Sequence, residues 1–506
     1  MVLREIDSRH VKWTEDQGRT MGAKDGPWTK NQGPRTTFLP MRIERDPLGE
    51  HPVPADAYYG IQTARAIENF PISGLHASAD LVTATILVKK AAAQANMSLG
   101  RLDSRIGGAI TRAADEILAG GFRDQFVVDV YQAGAGTSHN MNANEVLANR
   151  ASELMGGARG EYRLVHPNDH VNMSQSTNDV FPTATRVALL MTNRALVDAA
   201  RALAASFTDK SDAFNAVLKV GRTHLQDAVP ITLGQEFGGY AACLERGAND
   251  VEQTANQLKE LNLGATAVGT GLNAGDDYAA RAVKNIKTMT GLDVEPAPNR
   301  FRVTQSMGDV LAYSGAMRRL AVELSKIASD LRLLSMGPRA GLGEIALPAV
   351  QPGSSIMPGK VNPSIPEMVN QVCFQVLGCD TTICMATEAG QLELNVMMPV
   401  IAWNALHAST ILRNAMDTLR TRTVDGIDAD DARCRELLDR STAVATALSP
   451  YLGYAKTAEL AKESVRSGRS IRELVLEQRL LDPAQLDAIL SVETMTRPGI
   501  VGKPHA

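Results

Sequence analysis

Between positions 310 and 334 apolar residues return at alternating steps of three and four: Val310, Tyr313, Met317, Leu320, Leu324, Ile327, Leu331 and Leu334. An α-helix turns once in 3.6 residues, so only such steps keep one stripe facing a neighbour, and this spacing is the seam of helices packed nearly parallel. A seam this long confines the chain to a bundle of long helices, and one copy of the chain is expected to struggle to bury it alone. Similar helical patterns occupy roughly 80–100, 183–215 and 234–262, and another begins after Pro363. Aromatic residues are only 4 % and β-branched alternation is scarce, so the fold is expected to be mainly α.

The chain has 506 residues, 44 % of them apolar, which is ample core material. Residues 1–40 are polar and aperiodic and read as a flexible extension outside the fold. Composition shifts place further boundaries near 180 and 430, giving an N-terminal domain (41–180), a central bundle (181–430) and a small helical C-terminal domain (431–506). In the last, Asp482 and Pro483 read as an N-cap and a first-turn proline. Net charge is −4, so no bulk field favours nucleic acid or an anionic membrane. No apolar run is long enough to span a bilayer, no signal peptide opens the chain, and the five cysteines form no CxxC pair. These features suit a reducing cytoplasm and give no metal site.

Four segments break the helical pattern with small polar residues: 134–145 (GAGTSHNMNANE), 166–179 (HPNDHVNMSQSTND), 221–230 (GRTHLQDAVP) and 352–367 (PGSSIMPGKVNPSIPE). The last holds four prolines and two glycines, which neither helix nor central strand tolerates, so it must be an irregular loop. Any one of these segments could simply cap a helix. Together they offer Thr137, Ser138, Ser176, Thr177, Asn178, Thr223, His224, Lys360 and Asn362, a set of neutral donors with one lysine and one histidine that suits a small dianion. No GxGxxG, GxxxxGK[ST] or GxSxG motif is present, so a nucleotide cofactor or a hydrolase elbow has no support. Ser354, flanked by glycine in a loop able to close over a ligand, could act as a base if amides or a cation stabilised its oxyanion.

GSSIMPGKVNP resembles the signature of the aspartase and fumarase superfamily, lyases that form or consume fumarate-like alkenes, and the resemblance runs over about residues 41–500. QSTND, VNPSIPEMVNQVCFQVLG and EAGQLELNVMMPVI side with the aspartases, whereas class II fumarases more usually have QSSND and VNPTQ. GRTHLQDA occurs in both. The resemblance implies a fumarase/aspartase-like fold with a central bundle of long helices, a homotetramer that builds each site from three subunits, and no cofactor. It implies deamination of L-aspartate to fumarate and ammonia, with hydration of fumarate to L-malate as the alternative. A catalytically inactive structural relative is the remote third reading.

By motif, Ser354 is similar to the family's base, which takes a proton from Cβ. Thr137, Ser138, Ser176, Thr177, Thr223 and His224 match the groups around the aci-carboxylate that this leaves. Lys360 and Asn362, with Ser355, match the grip on the other carboxylate, and Asn178 the contact to the amino group. His224 is expected to pair with Glu367. Met398 departs from the pattern, standing where aspartases commonly have an acidic residue and fumarases often a basic one.

Overall fold

The long seam forms as expected and is buried. In the computed structural model, which describes residues 40–132 and 134–501, every residue of the 310–334 stripe is 5 % exposed or less. The expectation that one chain would struggle to cover it is corrected, because helices Leu233–Ala255, Ser364–Glu388 and Met398–Arg422 of the same chain pack against it. The extension assigned to residues 1–40 lies outside the described residues apart from Pro40.

A hairpin of β1 (Met41–Asp46) and β2 (Gly49–Pro54) leads into α1 (Ile61–Asn69), α2 (Ala79–Ser98), α3 (Ser104–Leu118) and α4 (Thr137–Leu154). Then come α5 (Thr177–Ala213), the antiparallel pair β3 (Leu218–Thr223) and β4 (Gln226–Thr232), α6 (Leu233–Ala255) and α7 (Asp276–Thr290). The short α8 (Arg300–Gln305) precedes the seam helix α9 (Gly308–Leu334), and α10 (Ser364–Glu388) and α11 (Met398–Arg422) complete the bundle. Helix α5 packs on α6 and α11, and α9 on α10 and α6. Side-chain caps start several of these helices: Ser78 accepts from Leu81 N–H at α2, and Thr232 with Gln235 makes a capping box at α6. At the centre the fully buried Arg186 of α5 meets Asp309 of α9 at 2.6 Å, so neither charge is left uncompensated in the core.

From Met41 onward the chain forms one compact unit, within which the apolar interior divides into several buried clusters. The largest fills the bundle, a second lies among α2, α3 and α4, and a third holds the helices after residue 443. The expected boundaries near 180 and 430 fall at the starts of α5 and of the helix Asp431–Arg440. Asp482 caps the helix Pro483–Ile489 by accepting from Gln485 N–H. Cys373, Cys379 and Cys434 are buried, and Cys384 is exposed on α10. Met398, at the start of α11, is fully buried among apolar side chains. No helix among the described residues is long and apolar enough to cross a membrane.

Candidate active site

Two helix N-termini meet on one side of the bundle. Helix α4 begins at Thr137 after a turn in which Ala135 and Gly136 take φ of 55° and 96°. A Cβ at Gly136 would lie 2.2 Å from the Phe181 ring, so only glycine lets the turn seat against α5. Helix α5 begins at Thr177, capped by Ser176, whose hydroxyl accepts from Asn178 N–H, while Asp179 accepts from Ser176 N–H. The two ends are tied together by Asn140, whose Nδ2 donates to Thr177 Oγ1 at 3.1 Å. Helix N-termini carry partial positive charge and free N–H groups, so this platform suits an anion.

Sequence reasoning missed the cation behind the platform. Lys89 of α2 is fully buried, donates to Asn172 Oδ1 (2.9 Å) and Gln175 Oε1 (3.0 Å), and burial pushes its ammonium down to about 7. Asn140 also reaches Asn172 Oδ1, at 3.3 Å, so Lys89, Asn172, Asn140 and Thr177 form one chain of polar contacts. No sequence signal marked it, because most of α2 is buried and Lys89 stands on no distinct apolar stripe. His139, one residue after Ser138, is a core histidine held by Thr85 Oγ1 at 2.9 Å, and burial lowers its pKa to about 4.

The other candidate residues sit elsewhere. Thr223 and His224 lie at the tip of the β3–β4 hairpin, closed by a two-residue turn in which His224 (φ 55°) and Leu225 (φ 59°) both adopt left-handed backbone. Such turns favour glycine or asparagine, so His-Leu there is strained, and the strain projects His224 into solvent. The hairpin's base is held by a cluster of ion pairs. Glu344, fully buried, accepts from Arg222 through both oxygens at 3.0 Å and contacts Lys219 at 3.0 Å, and Glu236 completes a balanced cluster at 2.5 Å from Lys219.

In the loop 352–363, Ser354 Oγ accepts from Ile356 N–H (3.3 Å) and Met357 N–H (3.0 Å). Gly353 N–H donates to Lys360 O (3.0 Å), and Asn362 Nδ2 to Gly353 O (2.6 Å), which pinches the loop shut at its base. A Cβ at Gly353 would lie 2.3 Å from Lys360 O, so the pinch requires glycine. Ser355 and Lys360 are exposed. The Asn362 amide nitrogen is engaged within the loop, so for it to grip a carboxylate the loop must rearrange. Glu367 lies 3.8 Å from Arg332 and meets no histidine among the described residues, so the expected partnership with His224 is not formed here.

The chain therefore carries two separate groups of candidate residues. Thr137, Ser138, Ser176, Thr177 and Asn178 gather at the start of α5, whereas Thr223 and His224 follow its far end. Helix α5 has 37 residues and is about 55 Å long, far more than a small dianion spans. The Ser354 loop lies at the end of α9, near the hairpin: His224 and Leu334 line one cavity, and Ser335 and Asn362 another. No hydrogen bond or ion pair joins the platform to the hairpin or the loop among the described residues.

Residues 49–378 match the family described as Lyase, and residues 444–497 the family described as Fumarase C C-terminus. The chain is 50 % identical to the aspartate ammonia-lyase of Bacillus subtilis, over 91 % of this chain and 97 % of that one. It is also 50 % identical to the aspartate ammonia-lyase of Escherichia coli strain K12, over 92 % and 98 %. Among solved structures, a fumarate lyase:delta crystallin from Brucella melitensis superposes with a TM-score of 0.87 at 51 % identity, covering 90 % of this chain and all of that one. A recombinant class II fumarase from Schistosoma mansoni gives the same TM-score at 36 % identity, covering 90 % and 99 %.

Proposed function

The chain belongs to the lyase family that holds the aspartate ammonia-lyases and the class II fumarases, and from that premise we propose that it deaminates L-aspartate reversibly to fumarate and ammonia. The observation that carries this reading is the identity of about 50 % with aspartate ammonia-lyases along nine-tenths of the chain, against 36 % with a class II fumarase of the same fold. The protein is a carbon–nitrogen lyase.

Ser354 is the base. A serine hydroxyl is too weak an acid to lose its proton unaided, and the two amides at Ile356 and Met357 point at Oγ, where they lower the cost of the alkoxide. The alkoxide takes the proton from Cβ, and the electron pair of that C–H bond moves into the adjacent carboxylate to give an aci-carboxylate. Thr137, Ser138, Ser176 and Thr177 receive the developing charge at the positive ends of two helices with Lys89 behind them, and Thr223 and His224 close the same group. A single well-placed donor of this kind is worth roughly 3 to 4 kcal/mol of barrier. Collapse of the aci-carboxylate forms the Cα–Cβ double bond and expels the nitrogen with the C–N electron pair. Lys360, Asn362 and Ser355 hold the second carboxylate once the loop closes, Asn178 receives the amino group, and Glu367 pairs with His224.

This assignment requires several protomers, since the platform and the His224 hairpin lie beyond opposite ends of α5. A homotetramer with shared sites is the arrangement we propose. Large apolar side chains left exposed on the bundle helices, among them Val322, Phe374 and Met385, support it. The test is ultraviolet detection of fumarate when purified protein receives L-aspartate or, separately, L-malate. Fumarate from aspartate is expected; fumarate from malate alone would make the protein a hydratase.

A further inference from the structure

Beside the platform runs the segment 262–275 (NLGATAVGTGLNAG), much of it in left-handed backbone: Gly264, Thr266, Gly269, Gly271, Asn273 and Gly275 have φ between 57° and 130°. It lies against the first turn of α5 through a dense set of hydrogen bonds. Asp179, fully buried, accepts from Gly264 N–H (2.9 Å) and Thr266 N–H (3.0 Å) through one oxygen and from Ser176 N–H (2.9 Å) through the other. The buried Asn262 donates to the backbone carbonyl of Asn178 at 3.0 Å. Asn178 in turn donates from its side-chain Nδ2 to the carbonyl of Ala267 at 2.8 Å.

That last contact fixes more than position. A backbone carbonyl can only accept, so the amide of Asn178 has one permitted orientation, with its donor end on Ala267 and Oδ1 turned the other way. No described residue donates to Oδ1. An acceptor held there welcomes an N–H donor and gives nothing to a carboxylate.

We propose that Asp179 and the segment 262–267 are positioning elements for amine specificity: they lock Asn178 with its amide oxygen toward the substrate, so that the ammonium of an amino dicarboxylate is recognised separately from its two carboxylates. The inference rests on the reading that Asn178 receives the amino group. Asp179 serves three backbone donors with its two oxygens. An asparagine at 179 offers one oxygen, leaves at least one of those N–H groups facing an NH2, and frees the segment that carries the Ala267 carbonyl. Gly264→Ala disturbs the same segment from its other side, because the new Cβ would lie 2.6 Å from the Ala279 Cβ at a φ of +91°.

The experiment compares the assembled full-length wild type with Asp179→Asn, Gly264→Ala and, as reference, Asn178→Ala. Each is assayed for the KM of L-aspartate and for the inhibition constant of succinate, which has both carboxylates and no amine. Gly264→Ala is expected to raise KM about tenfold and to leave the succinate constant within about twofold, the pattern also expected of Asn178→Ala, whereas Asp179→Asn, which also frees the Ser176 N–H of the carboxylate platform, is expected to raise KM at least as much. A merely structural role would move both constants together. If Asn178→Ala shows the split and Gly264→Ala raises both constants equally, or neither, or if Asp179→Asn leaves KM unchanged, the inference is overturned while the assignment of Asn178 stands. If Asn178→Ala leaves KM unchanged, that assignment fails and the inference falls with it. Should Asp179→Asn not fold, Gly264→Ala, which keeps every hydrogen-bonding group, carries the test.

Discussion

Two individually inactive variants should restore activity when mixed in one oligomer. Helix α5 holds Thr177 about 55 Å from the hairpin end of the bundle, and Ser354 lies at that hairpin end, so no single chain can apply both residues to one small substrate. Thr177→Val removes a donor from the carboxylate platform and should cost about 10²- to 10³-fold in kcat, while Ser354→Ala removes the base. In tetramers assembled at random from equal amounts of the two, a site works when its platform comes from the Ser354→Ala chain and its loop from the Thr177→Val chain. Each condition is met half the time, so about one quarter of wild-type activity should return. The assay is fumarate absorbance after co-expression or joint refolding, with each variant alone as the floor. Activity that stays at the floor in verified mixed oligomers would refute the reasoning, because it would mean that both residues act from the same chain.

Stability should respond to two residues beside the site. His139 is held neutral, its pKa lowered to about 4 first by burial and then by the Lys89 charge, against 6.5 when unfolded. Its folded value lies below its unfolded one, so the protein keeps this contribution above pH 6.5 and loses it, up to about 3 kcal/mol, as pH falls toward 4. His139→Gln should therefore show a smaller drop in Tm between pH 7.5 and 5 than the wild type, and equal drops would remove His139 from the account. Gly136→Ala should lower stability by about 2 kcal/mol or more, since it adds a Cβ at φ +96° against the Phe181 ring. A thermal melt measures it, and an unchanged Tm would show that the turn before Thr137 can reshape.

The seam was legible because a stripe of eight apolar residues on one helix admits a single packing mode, and the helices near 80–100, 183–215 and 234–262 followed from the same periodicity. Helix α11 was not singled out: MPVIAWNALHAST is apolar on most of its surface, so no stripe stands out. The strained His224–Leu225 turn was invisible to turn propensities, because neither residue favours left-handed backbone. Lys89, Asn140 and Asp179 escaped notice for a related reason. A buried polar residue is informative only once its burial is known, and sequence alone shows a lysine beside another lysine and an aspartate at a helix start. The residues of the polar loops were legible, whereas their division between two ends of a long helix needed the structure.

The most direct test of the account is the serine. In Ser354→Ala the substrate should still bind, with the affinity for L-aspartate within about threefold of wild type, because the platform and Asn178 are untouched, while fumarate release should fall by at least about 10³-fold. A variant that releases fumarate at the wild-type rate would contradict the assignment of Ser354 as the base and, with it, the role given to the amides of Ile356 and Met357.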